Sequence, residues 1–172
     1  MGKVSVLISE NEIAAKVAEL GAKISKDYDG RELVVIGILK GSFVFLSDLV
    51  RQVTVPHVID FMRLSSYGDS TEHSGVVQIL LDISKPIEGR HVLVVEDIVD
   101  TGLTMKYLLE NLRTRRPSSV KVCSLLQKPA RTKVEVPIDY LGFTIPDKFV
   151  VGYGLDWEEK YRNLPFVGYM EN

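Results

Sequence analysis

Apolar residues recur along this chain first at helical and then at strand spacing. Behind Ser9-Glu10-Asn11-Glu12, a capping-box sequence, Ile13, Val17, Leu20 and Ile24 repeat on one face, which predicts an amphipathic helix opening after Ser9. Asp29-Gly30 closes that region with turn chemistry. From Leu33 to Leu39 only Gly37 interrupts a run of aliphatics, the mark of a strand buried on both faces, and Phe43 to Val53 has the length and periodicity of a following helix. Val58 to Leu64 and Val76 to Ile83 read as two strands around a polar stretch. Ile87-Glu88-Gly89-Arg90 then turns into Val92-Leu93-Val94-Val95, a central strand, and an amphipathic helix is expected from Leu103 to Arg113. Val120 to Gln127 is the next strand, with short strands at Tyr140 to Phe143, Phe149 to Tyr153 and Phe166 to Met170. This order predicts an α/β fold: a mostly parallel central sheet, flanked by helices and joined by right-handed crossovers.

Composition narrows the class. With 172 residues, 45% hydrophobic, the chain suits one domain with a real core and room for a small appended lobe. A formal net charge of -2 gives no basic footprint, so nucleic-acid binding is not expected. Cys123 has no partner for a disulfide and lies in the apolar run Val120 to Leu126, so it is expected to be an inert buried strand residue. His57, His73 and His91 are scattered and form no zinc pattern. The run Leu33 to Leu39 is far too short to span a membrane and no leader segment is visible, which makes a reducing cytoplasm the expected compartment.

The chemistry concentrates in Glu96-Asp97-Ile98-Val99-Asp100-Thr101-Gly102-Leu103-Thr104, where the central strand gives way to a helix. Asp100 to Thr104 offers backbone amides at a helix start, a permissive glycine and two hydroxyls, a cradle for a phosphate dianion. Glu96 and Asp97 would repel that phosphate and suit sugar hydroxyls or a hydrated magnesium ion. Phosphate, diol and metal in one place point to a phosphorylated ribose. Two other readings exist: Asp100 as a mere helix cap beside solvated carboxylates, or an aspartyl-phosphate site. Haloacid-dehalogenase-type phosphatases want aspartates two residues apart, whereas Asp97 and Asp100 are three apart.

An acid pair, two apolar residues, Asp-Thr-Gly and a threonine resemble the diphosphoribosyl-binding motif of the type I phosphoribosyltransferases. Across nearly the whole chain the order of features resembles their 6-oxopurine, hypoxanthine-guanine branch. The resemblance implies the type I fold with a small base-binding hood, formed mainly by the C-terminal part of a single domain. It implies transfer of the phosphoribosyl group from phosphoribosyl diphosphate to hypoxanthine or guanine with Mg2+, in a homodimer or homotetramer. Glu96, Asp97, Asp100, Thr101, Gly102, Leu103 and Thr104 would hold the ribose 5-phosphate, and Asp100 would accept the purine's proton.

Other segments acquire roles on the same basis. Leu39-Lys40-Gly41-Ser42, where a buried strand meets a helix, resembles the family's diphosphate loop; Lys40 and Gly41 would bind diphosphate with Arg162, and the Leu39-Lys40 peptide would be cis. Ser65 to Gly75 is polar with almost no core-forming residues, and its Ser66-Tyr67 pair resembles the lid that excludes water from the reacting centre. Lys128, at a strand end, would donate to the purine oxygen and so reject adenine. Phe149 would stack on the base, Val150 would offer it backbone groups, and Glu96, Asp97 and Asp156 would serve the magnesium. Arg131 is a weaker candidate for the Arg162 cluster. A xanthine-preferring transferase, and a regulatory nucleic-acid-binding protein on the same fold, are the alternatives.

Overall fold

The computed structural model describes residues 3–67 and 76–171. Its elements run β1 (Val4–Ile8), α1 (Glu10–Asp27), β2 (Leu33–Leu39), α2 (Phe43–Val50), β3 (His57–Tyr67), β4 (Val76–Leu81), β5 (His91–Val99), α3 (Leu103–Thr114), β6 (Ser119–Gln127), β7 (Tyr140–Thr144), β8 (Val150–Val151) and β9 (Val167–Met170), with a 3-10 turn at Pro129–Arg131. Six strands form the main sheet in the order β4-β3-β2-β5-β6-β7, parallel except for β4. Three more form a small antiparallel sheet, β1-β9-β8.

Period-two alternation in the buried strands divides the interior into two cores. Leu33 and Val35 of β2, Leu93 and Val95 of β5 and Cys123 and Leu125 of β6 face α1 and α2. Val34, Ile36, Val92, Val94 and Val122 face α3 through Met105, Leu108, Leu109 and Leu112. Each strand therefore needs apolar residues at successive positions, which is why these segments read as unbroken aliphatic runs. Cys123 is fully buried, and burial pushes its thiol well above its ordinary range, as an inert strand residue requires.

The capping box at α1 is formed in both directions: Ser9 N donates to Glu12 Oε2 at 2.8 Å and Glu12 N donates to Ser9 Oγ at 3.2 Å. Ser9→Ala should therefore cost about 1 kcal/mol, read as a fall of roughly 2–4 °C in the thermal unfolding midpoint of a chain this size.

Several boundaries differ from expectation. Helix α2 ends at Val50, because Gln52 and Val53 donate to carbonyls three residues back and the turn tightens ahead of Pro56. Strand β4 stops at Leu81, where Asp82 accepts from Ile83 N at 2.8 Å and from both terminal nitrogens of Arg115. Strand β8 is two residues long, since Gly152, Tyr153 and Gly154 all take positive φ and leave the extended region. Sequence reasoning placed no strand at Val4–Ile8, yet β1 pairs with β9 and brings an N-terminal strand into a small sheet otherwise drawn from the C-terminal part.

In the main sheet, β2 and β5 are neighbours whose onward connections diverge, β2 through α2 to β3 and β5 through α3 to β6. The carboxyl ends of β2 and β5 thus flank the switch point where open α/β sheets form a ligand crevice. Both candidate loops open there.

Candidate active site

Strand β5 extends beyond its apolar run. It pairs with β2 only as far as Val95, opposite Gly37, but stays in register with β6 up to Val99, opposite Gln127. Glu96 and Asp97 are therefore residues of extended strand, rather than of the loop expected from the sequence, and they lie where β2 has turned away. Glu96 Oε1 accepts from Asp97 N at 3.0 Å and Asp97 Oδ1 from Ile98 N at 2.8 Å. Burial raises the Glu96 carboxyl well above the usual carboxylate range, and the neighbouring Asp97 charge adds to the shift. A site that places two carboxylates side by side in this way favours a cation or hydrogen-bond donors as its complement.

Asp97 also reaches across the crevice to the β2 loop. A Cβ on Gly41 would lie 1.8 Å from Asp97 Oδ2, so any larger residue there would push that carboxylate out of its place. The Leu39-Lys40 peptide just before it is cis, as the resemblance implied. On the other side of Gly41, a Cβ on Gly154 would lie 2.2 Å from the Gly41 carbonyl oxygen, which shows how tightly the loop after β8 packs on the loop after β2.

Residues 96–102 with Thr104 and Met105 line a pocket of about 170 Å³. Gly102 takes φ +86° and starts α3 without a side-chain cap; Thr101 Oγ1 accepts from Leu103 N at 3.4 Å. Asp100 does not cap the helix, so the capping reading of that aspartate fails. The first-turn amides of α3 have no acceptors within the helix, and Thr104 and Met105 of that turn line the pocket. Exposed Leu103 and half-buried Thr104 stand in the same turn.

The stretch after β6, unmatched by any pattern in the sequence, braces this loop. Lys133 N and Val134 N both donate to Thr101 O, at 2.9 and 3.1 Å, and Lys128 N donates to Val99 O at 3.1 Å. Arg131 lies in this brace, and its placement corrects the expectation that it joins Arg162: its Nε is 3.0 Å from Asp100 Oδ1 and its guanidinium is 3.8 Å from Asp147. The contact with Asp100 is an ion pair without hydrogen-bond alignment. Lys128 is only 7% exposed, so its stem is packed rather than solvated.

Beyond β7, Phe149 is 57% exposed and so is no core aromatic, while Val150 is buried and paired with Tyr169. Phe149 shares a cleft of about 440 Å³ with Asp147, Lys148, Tyr169, Met170 and Glu171, and Lys148 Nζ lies 3.8 Å from the Tyr169 ring centre. In the turn after Gly154, Asp156 accepts from Glu159 N at 2.9 Å and pairs with Arg162 at 3.1 Å. Arg162 also donates to Gly154 O at 2.7 Å. Glu159, singled out by nothing in the sequence, contacts Lys40 Nζ at 2.7 Å and Arg162 at 3.3 Å. Hydrogen bonding to Lys40, with the charges of Lys40 and Arg162, lowers the Glu159 carboxyl below its ordinary range.

The expected metal set is only partly assembled: among the described residues no three acidic, histidine or cysteine side chains converge, so Glu96, Asp97 and Asp156 form no closed cage. That arrangement fits a magnesium that keeps waters and phosphate oxygens as most of its ligands. Ser66 and Tyr67 belong to β3, opposite Val77 and Val76, rather than to a loop, and residues 68–75 of the expected lid lie outside the described residues. A larger cavity of about 680 Å³, between α1, α2 and residues 162–165, shares only Arg162 with the candidate residues. No helix among the described residues is long and apolar enough to cross a membrane.

This geometry, a carboxylate pair and a helix-start pocket at the switch point, has close counterparts among known proteins. The phosphoribosyl transferase domain family matches residues 7–158, and the chain belongs to that family. More narrowly, it is 50% identical to the hypoxanthine phosphoribosyltransferase of Salmonella typhimurium over 96% of this chain and 94% of that protein. It is 52% identical to the hypoxanthine-guanine phosphoribosyltransferase of Dictyostelium discoideum, over 95% and 93%. A crystal structure of a hypoxanthine-guanine phosphoribosyltransferase from Bacillus anthracis, holding HEPES in its active site, superposes with a TM-score of 0.94 at 48% identity, covering 99% of this chain and 100% of the other. The chain thus stands in the hypoxanthine-guanine branch of the type I phosphoribosyltransferases.

Proposed function

We propose that this protein transfers the 5-phosphoribosyl group of phosphoribosyl diphosphate to nitrogen nine of hypoxanthine or guanine, forming IMP or GMP and diphosphate in purine salvage. The observation that carries the reading is the crevice itself, in which Asp97 touches the loop of Lys40 and Gly41 while Asp100 meets Arg131 beside the helix-start pocket.

In this reading the amides and hydroxyls of residues 100–104 hold the 5-phosphate, and Glu96 and Asp97 take the ribose hydroxyls. Lys40, the Gly41 backbone and Arg162 bind the diphosphate. Asp156, with Glu96 and Asp97, would hold a magnesium ion, which would supply positive charge against that leaving group. The anomeric carbon–oxygen bond breaks with its electron pair leaving on diphosphate, and purine nitrogen nine attacks the opposite face of the ribosyl cation with inversion. The proton released from nitrogen seven passes to Asp100. Positioning and fixed charge supply most of the rate. Phe149 covers the base, Val150 bonds it through the backbone, Lys128 donates to its oxygen, the β1-β9-β8 sheet forms the hood, and Ser66-Tyr67 begin the lid.

The deciding experiment incubates the protein with magnesium and phosphoribosyl diphosphate and offers hypoxanthine, guanine, xanthine and adenine separately. IMP and GMP should form, and a chelator should abolish both. Xanthosine monophosphate as the main product would move the assignment to the xanthine transferase, and no product from any base would leave the regulatory reading. Sedimentation of the same preparation should give a dimer or tetramer.

Lys128→Gln bears on base choice. A glutamine presents both a donor and an acceptor, so discrimination between hypoxanthine and adenine, measured as the ratio of kcat/KM values, should fall by about tenfold or more. An unchanged ratio would place the oxygen-reading group elsewhere.

A further inference from the structure

The diphosphate-binding cations are already engaged by an acidic side chain of the same chain. Glu159 Oε2 lies 2.7 Å from Lys40 Nζ and Glu159 Oε1 lies 3.3 Å from the Arg162 guanidinium, so one carboxylate, 119 residues beyond Lys40 in the chain, bridges both cations. Its turn is built to present it. Glu158, Glu159 and Tyr161 all have positive φ, at 52°, 62° and 74°, a region costly for residues with a Cβ. Trp157 and Lys160 exchange two backbone hydrogen bonds across the turn, Asp156 accepts from Glu159 N, and the Trp157 and Tyr161 rings stack at 6.3 Å. Strain of this kind persists only where surrounding contacts enforce it.

We infer that Glu159 is an internal stand-in for the diphosphate: it holds Lys40 and Arg162 together in the free protein, is displaced when the sugar diphosphate binds, and returns to assist diphosphate release. The inference rests on the proposed diphosphate role of Lys40 and Arg162. A carboxylate and a phosphate oxygen satisfy the same donors, and both cannot occupy them at once. Affinity for the diphosphate is then reduced by the fraction of molecules in which the carboxylate is seated. Because the Lys40 and Glu159 side chains are 47% and 64% exposed, that reduction is modest, about two- to fivefold.

The test compares the wild-type protein with Glu159→Gln, Glu158→Gln and Lys40→Met. It measures the KM for phosphoribosyl diphosphate, the KM for hypoxanthine and the product-inhibition constant of inorganic diphosphate, all with magnesium. Glu158→Gln makes the same change of charge in the same turn, but the Glu158 carboxylate pairs with Lys160 rather than with Lys40 or Arg162. Glu159→Gln should lower the KM for phosphoribosyl diphosphate and the inhibition constant of diphosphate together, by about two- to fivefold, with the KM for hypoxanthine unchanged. Glu158→Gln should change none of them. Unchanged or raised constants in Glu159→Gln overturn the inference, and so does an equal fall in Glu158→Gln, which would mark a general field effect. Lys40→Met separates the two levels: if it leaves diphosphate inhibition at the wild-type value, the assignment of Lys40 to the diphosphate fails, whatever Glu159 does.

Discussion

Asp100→Asn should depress the chemical step about 10²- to 10⁴-fold, the range for loss of a positioned proton acceptor, while the KM for phosphoribosyl diphosphate stays within about threefold, too small a change to register as a lost phosphate contact. The two parts of this expectation have separate structural grounds. An asparagine keeps the shape of the side chain and an oxygen that can face Arg131 Nε, which lies 3.0 Å from Asp100 Oδ1, so the contact bracing the loop is largely retained. It cannot take up a proton. In the proposed reading the 5-phosphate rests on backbone amides and hydroxyls, which the substitution leaves in place. Single-turnover measurement of nucleotide formation at saturating phosphoribosyl diphosphate isolates the step. A wild-type single-turnover rate would mean that Asp100 serves only to hold Arg131 and the brace.

The contact with Arg131 also shows where sequence reasoning stops. Strand and helix positions along residues 33–39, 92–95 and 103–113 were legible because the β2 and β5 aliphatic runs feed two cores at once and α3 shows a clean amphipathic face. Chemistry within the motif was legible because its residues are adjacent in the chain, so spacing alone brings them together. Arg131 was not placed, because its position depends on a brace made by backbone hydrogen bonds from Lys133 and Val134 to Thr101, which any side chains could make. Glu159 was hidden for a related reason: which carboxylate of Asp156-Trp157-Glu158-Glu159 reaches Lys40 is decided by backbone φ values that composition does not reveal. Strand β1 escaped because it is short, has Val6 exposed at 55%, and owes its existence to pairing with β9 at the far end of the chain.

Gly102→Ala should damage stability and activity together. At φ +86° a residue with a Cβ pays on the order of 1–2 kcal/mol for the left-handed backbone alone. The new methyl would also sit 2.1 Å from the carbonyl oxygen of Val134, which is backbone and cannot swing aside as a side chain would. Relief requires either Gly102 to leave its conformation or the 129–136 segment to retreat. In the first case the opening turn of α3 loses the orientation of its amides, and in the second the bonds from Lys133 and Val134 to Thr101 break and carry Arg131 away from Asp100. Either response harms the 5-phosphate site and the proton acceptor together. The variant should lose about 2–4 kcal/mol of stability, the combined scale of left-handed strain and overpacking, seen as a midpoint lowered by roughly 5–15 °C. Its kcat/KM for phosphoribosyl diphosphate should fall at least about 100-fold even well below that midpoint, as misplacement by an ångström is enough to do. Chemical denaturation and steady-state kinetics on the same preparation separate the effects: a destabilised variant with normal kcat/KM would show that the brace supports the fold without shaping the site.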